Sequence, residues 1–222
     1  MSAARCFLLA TVLLLGSIDV ALGQNPGGGG QRPGRPTIDQ PSEPIENTAR
    51  EDKPEAAAKK AYAAGVKSME RAAELEPIAQ QAPNPDKKAR AVEKIGDAYS
   101  KALDQFTEAL RNKGDMYDAW NRVGYVHLRL GAFAESIDDY NHALLLKPDL
   151  YEATLHRGEA YLAVDRLDDS QNAYLDLINH ARGLADQLML TMRKWLASHR
   201  VDAHGMSGAD IDAFEQWLQA RG

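Results

Sequence analysis

The sequence has almost no cysteine, no excess of basic residues and no long apolar run after its first residues. The only cysteine is Cys6. If the first residues of the chain were removed, the remainder could have no disulfide, thiol nucleophile or cysteine-ligated metal. Acidic residues outnumber lysine and arginine, 32 against 26, and no basic stripe is visible, which argues against a nucleic-acid partner. The histidines show no metal-binding spacing. The sequence therefore predicts no metal, no cofactor and no catalytic constellation.

Residues 1–23 have the pattern of a cleavable signal peptide. Arg5 precedes an apolar run over residues 6–16, and the small residues Ala21 and Gly23 suit a signal peptidase. The run is too short for a comfortable membrane span, which needs about 20 residues. We therefore expect an exported protein, periplasmic or secreted, with no membrane span after cleavage. An uncleaved N-terminal anchor is the alternative.

The remainder divides into a linker and one helical domain. Residues 24–53 are rich in glycine, proline and polar groups, which predicts a disordered linker. Strong helix formers begin at Pro54, and residues 54–222 are predicted to form a single α-helical domain. Its first helix is expected to stop at Pro77, and a second is predicted from Asp86 to Asn112.

Apolar residues in these two segments recur at helical spacing. The first stripe contains Tyr62, Val66, Met69 and Ala73. The second contains Val92, Ile95, Tyr99, Ala102, Phe106 and Ala109, at alternating intervals of three and four. Two such stripes predict an antiparallel helical hairpin.

Similar residues recur at an interval of 34 in the central part of the chain. It relates Phe106, Tyr140 and Tyr174, and likewise Gly124 and Gly158. Ala102, Ser136 and Ser170 follow the same interval. Segments 117–150 and 151–184 each show two short amphipathic helices, and Gly131 in the first of them supplies a turn. Such units cannot bury their apolar faces alone, so the period predicts a stack of helical hairpins.

This pattern resembles the tetratricopeptide repeat (TPR) family. The order of Trp120, Gly124, Ser136, Tyr140 and Pro148 matches that of the family's repeat. The match is best over 117–150 and 151–184. Before residue 117, the Ile95–Tyr99 segment looks like a first helix without a turn after it, which suggests a degenerate unit drawn into one long helix. The resemblance implies an all-α fold, a right-handed superhelix of helical hairpins with long flanking helices.

The resemblance also implies a concave groove, formed by the first helix of each repeat, that binds a protein or peptide. The side chains expected there carry both charge signs, so they do not indicate an acidic or a basic partner. They are Asp118, Asn121, Arg122, Tyr125 and Arg129 in one repeat and Glu152, His156 and Glu159 in the next, with Leu155 and Leu162 beside them.

Three further side chains have simple interpretations. His127 lies on an apolar stripe and is expected to be a hydrogen-bonded core histidine. Asp139 is expected to face solvent or to cap a helix. Trp217 lies in a terminal helix predicted to cover the end of the stack, where an exposed indole could contact another chain.

The hypothesis is an exported TPR-like protein that binds another polypeptide as a scaffold or assembly factor in a bacterial envelope. No enzymatic activity is expected. A self-associating structural module, and hence a homo-oligomer, is the first alternative. A small-ligand binder or an enzyme that uses the groove as a pocket is a more distant one.

Overall fold

The structure, a computed structural model, describes residues 48–221, with side chains from residue 53 onward. The predicted signal peptide and residues 24–47 of the predicted linker lie outside this range. Every regular element in the described range is a helix. The helices are α1 (Thr48–Gln80), α2 (Pro85–Asn112), α3 (Tyr117–Leu130), α4 (Phe133–Leu146), α5 (Tyr151–Ala163), α6 (Leu167–His180), α7 (Arg182–Val201) and α8 (Gly208–Gln219).

Consecutive helices pair as antiparallel hairpins that stack one on the next. The pairs are α1 with α2, α3 with α4, and α5 with α6, and α7 then packs on both helices of the last pair. The all-α superhelix of helical hairpins, with long helices before the regular repeats, is therefore confirmed. We call α1, α3, α5 and α7 the inner helices and α2, α4 and α6 the outer helices. Among the described residues, none of the helices has an apolar stretch of the length that a membrane span requires.

The first helix is longer than the sequence indicated. It begins at Thr48, so the last six residues of the predicted linker are helical, and Pro77 lies inside it instead of ending it. A proline removes the hydrogen bond to the carbonyl four residues earlier, here that of Ala73. Both Ala73 and Pro77 are exposed, so water can satisfy that carbonyl. The placement of Ala73 on the buried stripe was wrong, since its neighbour Ala72 is buried instead.

The α1–α2 hairpin is closed by a glycine against an aromatic ring. A Cβ placed on Gly65 would lie 2.6 Å from the ring of Phe106, which is fully buried. A Cβ on Gly96, the glycine expected in a degenerate unit, would meet nothing within 4 Å. The expected long helix without a turn is present as α2, but the expectation that Gly96 lies in the first helix of a degenerate unit was wrong. The first unit is a complete hairpin whose glycine is Gly65.

The 34-residue period reappears as a repeated hydrogen bond. Ser136 Oγ donates to the Gly124 carbonyl at 2.8 Å, and Ser170 Oγ donates to the Gly158 carbonyl at 2.9 Å. Each bond ties an outer helix to the inner helix of its own hairpin. The turns also match, because Gly131 and Asp165 both adopt a left-handed backbone, at φ 78° and 58°. The same contact within each hairpin gives α3–α4 and α5–α6 the same internal geometry.

The terminal helix α8 lies at the end of the stack, as predicted. Phe214 and Leu218 are buried in a cluster that also contains Tyr174 and Leu177 of α6. Ser207 caps α8 by accepting a hydrogen bond from the Asp210 amide. The helix covers apolar surface that an open repeat would leave exposed.

Candidate protein-binding face on the inner helices

All eight predicted groove residues lie on the adjacent inner helices α3 and α5, but with unequal exposure. Asp118 and Glu152 are exposed. Arg122, Tyr125, His156 and Glu159 are half-buried, whereas Asn121 and Arg129 are buried, as are Leu155 and Leu162. Within the predicted set, the exposed charges are therefore the two carboxylates near the beginnings of α3 and α5.

Arg129 is committed to contacts inside the protein. Its guanidinium pairs with Glu76 of α1 and lies 5.7 Å and 5.9 Å from the ring centroids of Tyr99 and Tyr125. Burial lowers its pKa, but these two tyrosines and Glu76 outweigh that effect, so the pKa of Arg129 is raised. Tyr99 also donates a hydrogen bond to Glu76 at 2.8 Å. Arg129 thus joins α3 to α1 and α2, and its charge is not presented to a partner.

Arg122 is partly committed in a similar way. Burial lowers its pKa, but a hydrogen bond with Tyr62 of α1 and the carboxylates of Glu152 and Asp118 outweigh that effect and raise it. The side chain therefore lies among α1, α3 and α5. Its charge partly offsets the two carboxylates but is withdrawn from the surface.

Aromatic contacts continue this network from α3 to α5. The His156 ring lies between Tyr125 and Tyr140, with centroid distances of 5.3 Å and 6.2 Å. His156 Nδ1 and Glu159 Oε2 are hydrogen-bonded at 2.9 Å, and Thr191 of α7 donates to Glu159 Oε1 at 3.3 Å. Burial raises the pKa of both Tyr125 and Tyr140. The inner helices are thus held together by side chains predicted to bind a partner.

Four buried polar atoms on or beside these helices have no hydrogen-bond partner among the described residues. They are Asn121 Oδ1, Arg129 Nε, the Tyr140 hydroxyl and Arg157 Nε. A buried polar atom without a partner costs free energy, typically about 1–3 kcal/mol. The hydrogen-bond network is therefore incomplete at these atoms.

Glu76, Tyr99 and Tyr62 also belong to this face, and the repeat pattern did not indicate them. Glu76 follows Met69 by seven residues and Ala72 by four, so it shares the apolar stripe of α1. A carboxylate on a buried stripe requires a buried cation, which was the available signal. The identity of that cation, Arg129, depends on how far α1 extends along α3.

The histidine and aspartate expectations had opposite outcomes. His127 Nδ1 lies 2.6 Å from Asp139 Oδ2, so the histidine is hydrogen-bonded as expected. Asp139 is buried, and the expectation that it faces solvent was wrong. Burial raises the pKa of Asp139, although the hydrogen bond with His127 opposes that shift. The pair joins α3 to α4 away from the predicted groove.

A second concave region lies between the start of α6 and α8, with a cavity volume of about 580 Å³. Its walls combine aromatic and acidic side chains, among them Phe214, Trp217, Asp168 and Asp210. Trp217 is half-buried, at 5.4 Å from the Tyr174 ring centroid and beneath the Arg221 guanidinium. Among residues 48–221 no group of three or more histidine, cysteine or acidic residues could hold a metal ion.

Comparisons with known proteins give one finding about the fold. No family model matches the sequence, and no curated protein matches it. Among solved structures, the chain is similar to the Arabidopsis OM64 TPR domain at 17% identity, covering 73% of this chain and 99% of that domain. The TM-score is 0.35. A similarity of this degree does not indicate a function, so the function has to be inferred from the contacts of the chain itself.

Proposed function

We propose that the protein is an exported repeat scaffold that binds another polypeptide across its inner helices. The observation that carries this proposal is the stack of helical hairpins, in which the same serine–glycine hydrogen bond joins the two helices of two successive hairpins. Stacks of this kind present an extended surface instead of an enclosed pocket. The exposed carboxylates Asp118 and Glu152 lie on that surface. A non-catalytic binding role accords with these features.

Site-specific photo-crosslinking tests the proposal. A photoreactive amino acid replaces Glu152 on α5 in one variant and Asp138, exposed on the outer helix α4, in the control. A discrete crosslinked protein is expected from position 152 and not from position 138. Equal crosslinking from both positions, or none from either, would overturn a specific inner-face role.

Self-association is the alternative that a specific observation favours. Leu145 near the end of α4 is 79% exposed, and Val201 at the end of α7 is 89% exposed. Both lie outside the predicted groove residues. Light scattering on the purified protein separates the two functions, because a strict monomer excludes self-association. In that experiment the scaffold proposal requires no particular oligomeric state.

The exported location rests on the sequence pattern at residues 1–23. N-terminal sequencing of the protein recovered from cells tests whether this signal peptide is cleaved. The expected first residue is Gln24, and a mature chain that retains Arg5 would argue for an uncleaved anchor instead.

A further inference from the structure

Arg157 occupies a position that is apolar and buried in the preceding repeat. The 34-residue interval relates it to Val123, which is 4% exposed and belongs to a core cluster with Phe106 of α2. Arg157 of α5 instead reaches the outer helix α4, where its Nη1 donates to Asn141 Oδ1 at 2.7 Å. Its side chain is half-buried. A cation therefore lies between α5 and α4 at a point where the preceding repeat has packed hydrocarbon.

This cation forms no ion pair with a carboxylate of the described residues. Besides Asn141, its contact is with the Tyr161 ring, whose centroid lies 5.8 Å from the guanidinium carbon. The Arg157 Nε is buried without a hydrogen bond, whereas its Nη2 is neither buried nor hydrogen-bonded within residues 53–221. Burial of a charge costs free energy unless a counterion offsets it. An anion that approaches Nη2 from solvent would provide that counterion.

Asn141 adds an amide donor beside this guanidinium. Because Asn141 Oδ1 accepts from Arg157, the two Nδ2 hydrogens remain, and they make no hydrogen bond to the described part of the chain. Asn141 is exposed, so these donors are open to solvent. Guanidinium and amide N–H groups are donors that the oxygens of a carboxylate or a phosphate accept. Arg157 and Asn141 therefore offer suitable donors at one point of the surface.

A second arginine lies beside the same tyrosine. Arg166, exposed in the turn before α6, places its guanidinium carbon 4.5 Å from the Tyr161 ring centroid. Its Nε donates to Asp169 Oδ2 at 2.7 Å, and that hydrogen bond raises the pKa of Arg166. Arg166 is therefore already paired and contributes less to a site than Arg157, the cation without a counterion.

We propose that Arg157 and Asn141, with Arg166 beside them, form a site for an oxyanion, a phosphate or carboxylate group of a ligand from outside the chain. Arg157 Nη2 and Asn141 Nδ2 donate to its oxygens, and the planar fork of arginine suits both kinds of group. The site lies next to the outer helix α4 and the start of α6, so it is separate from the predicted groove residues. The inference therefore goes beyond the proposed function and does not depend on it.

Nuclear magnetic resonance of the purified full chain tests the inference. The probes are inorganic phosphate and acetate, each titrated against chloride at constant ionic strength, and the reporters are the Arg157 Nε–H and Asn141 Nδ2–H signals. We expect both signals to shift saturably with at least one of the two anions and not with chloride. Tighter phosphate binding would assign a phosphate ligand, and tighter acetate binding a carboxylate ligand. No saturable shift with either anion would overturn the proposal.

Variants taken from the repeat itself locate the site, each followed by the reporter signal that it retains. Arg157→Val restores the residue type of Val123, so we expect the fold to be retained and the affinity for the anion to fall at least about tenfold. Asn141→Leu matches exposed Leu175, 34 residues later, and should weaken binding about two- to tenfold. Arg193→Gln removes an exposed cation from α7 and should change affinity less than about twofold. Equal losses in Arg157→Val and Arg193→Gln would show only general charge attraction and overturn the site. Unchanged affinity in Asn141→Leu would overturn it even where Arg157→Val failed to fold.

Discussion

The first hairpin and the second make the same contact with helices of very different length. In α1–α2 the glycine against the ring is Gly65 with Phe106, and in α3–α4 it is Gly124 with Tyr140. The helices of the first hairpin contain 33 and 28 residues, whereas those of the second contain 14 each. The close approach is thus retained while the connection between its two partners has lengthened. Packing between helices, and not the interval along the chain, defines the unit.

The added length of α1 has a structural consequence. Three turns beyond Gly65 the helix carries Glu76, which pairs with Arg129 of α3 and accepts from Tyr99 of α2. A 14-residue helix would end before that point. The long first hairpin therefore contributes a charged contact to the next hairpin, and we call the Glu76–Arg129 pair with Tyr99 the latch.

Removing the latch should give the largest effect and would test whether the first hairpin depends on it. Glu76→Gln removes the charge that compensates buried Arg129, so we expect the free energy of unfolding to fall by about 3 kcal/mol. Chemical denaturation measures this change. Glu74→Gln is the matched control, because Glu74 pairs with Arg71 at the surface, where both side chains are about two-thirds exposed. That variant should change stability by less than about 0.5 kcal/mol, and equal effects would show that the latch contributes nothing special.

Alanine at two glycines sharpens the comparison between hairpins. Gly65→Ala places a Cβ within 2.6–2.8 Å of the buried Phe106 ring, so we expect a loss of about 2 kcal/mol in the free energy of unfolding. Gly96→Ala lies in the interior of α2 with no atom within 4 Å of the new Cβ. It should gain about 0.5–1 kcal/mol from helix propensity. Thermal or chemical denaturation measures both, and a loss at Gly96 with none at Gly65 would restore the original interpretation of that segment.

The sequence predicted the parts of the fold that depend on local spacing. The 34-residue interval located the hairpins of α3–α6, because Gly124 and Ser136 recur as Gly158 and Ser170 in equal-length units. The same interval failed ahead of residue 117. There the helices are longer, and the glycine that contacts Phe106 of α2 is Gly65, which lies on α1. A period reports geometry only while the units keep the same length.

The candidate site was harder to predict, because exposure depends on neighbours outside the repeat. The position of Arg129 on the inner face followed from the resemblance, but its burial depends on Glu76 reaching it from α1. Likewise His156 of α5 is half-buried between Tyr125 and Tyr140, which belong to α3 and α4. Partner binding by the eight predicted residues stays a prediction. Asp118 and Glu152 are the exposed charged members of that set.

Two tyrosines should respond in opposite directions to loss of the hydroxyl, which separates the latch of the first hairpin from the core of the second. Tyr99 donates to Glu76, so Tyr99→Phe should lower the free energy of unfolding by about 1 kcal/mol. The buried Tyr140 hydroxyl has no partner among the described residues, so Tyr140→Phe should raise that free energy by about 1 kcal/mol. Denaturant titrations at neutral pH measure both changes. A loss of stability in Tyr140→Phe would mean that the hydroxyl is hydrogen-bonded in solution.

Alkaline pH offers the smallest and most specific test at the same ring. Burial raises the folded-state pKa of Tyr140 well above its ordinary value of 10.0. Above pH 10 the unfolded chain releases a proton that the folded protein retains, so this tyrosine contributes stability below that pH and loses it as the pH rises further. The stability advantage of Tyr140→Phe over the unmodified protein should therefore widen above pH 10. A difference that stays constant across that range would indicate that Tyr140 ionises equally in both states, which a ring fully buried between α3, α4 and α5 cannot do.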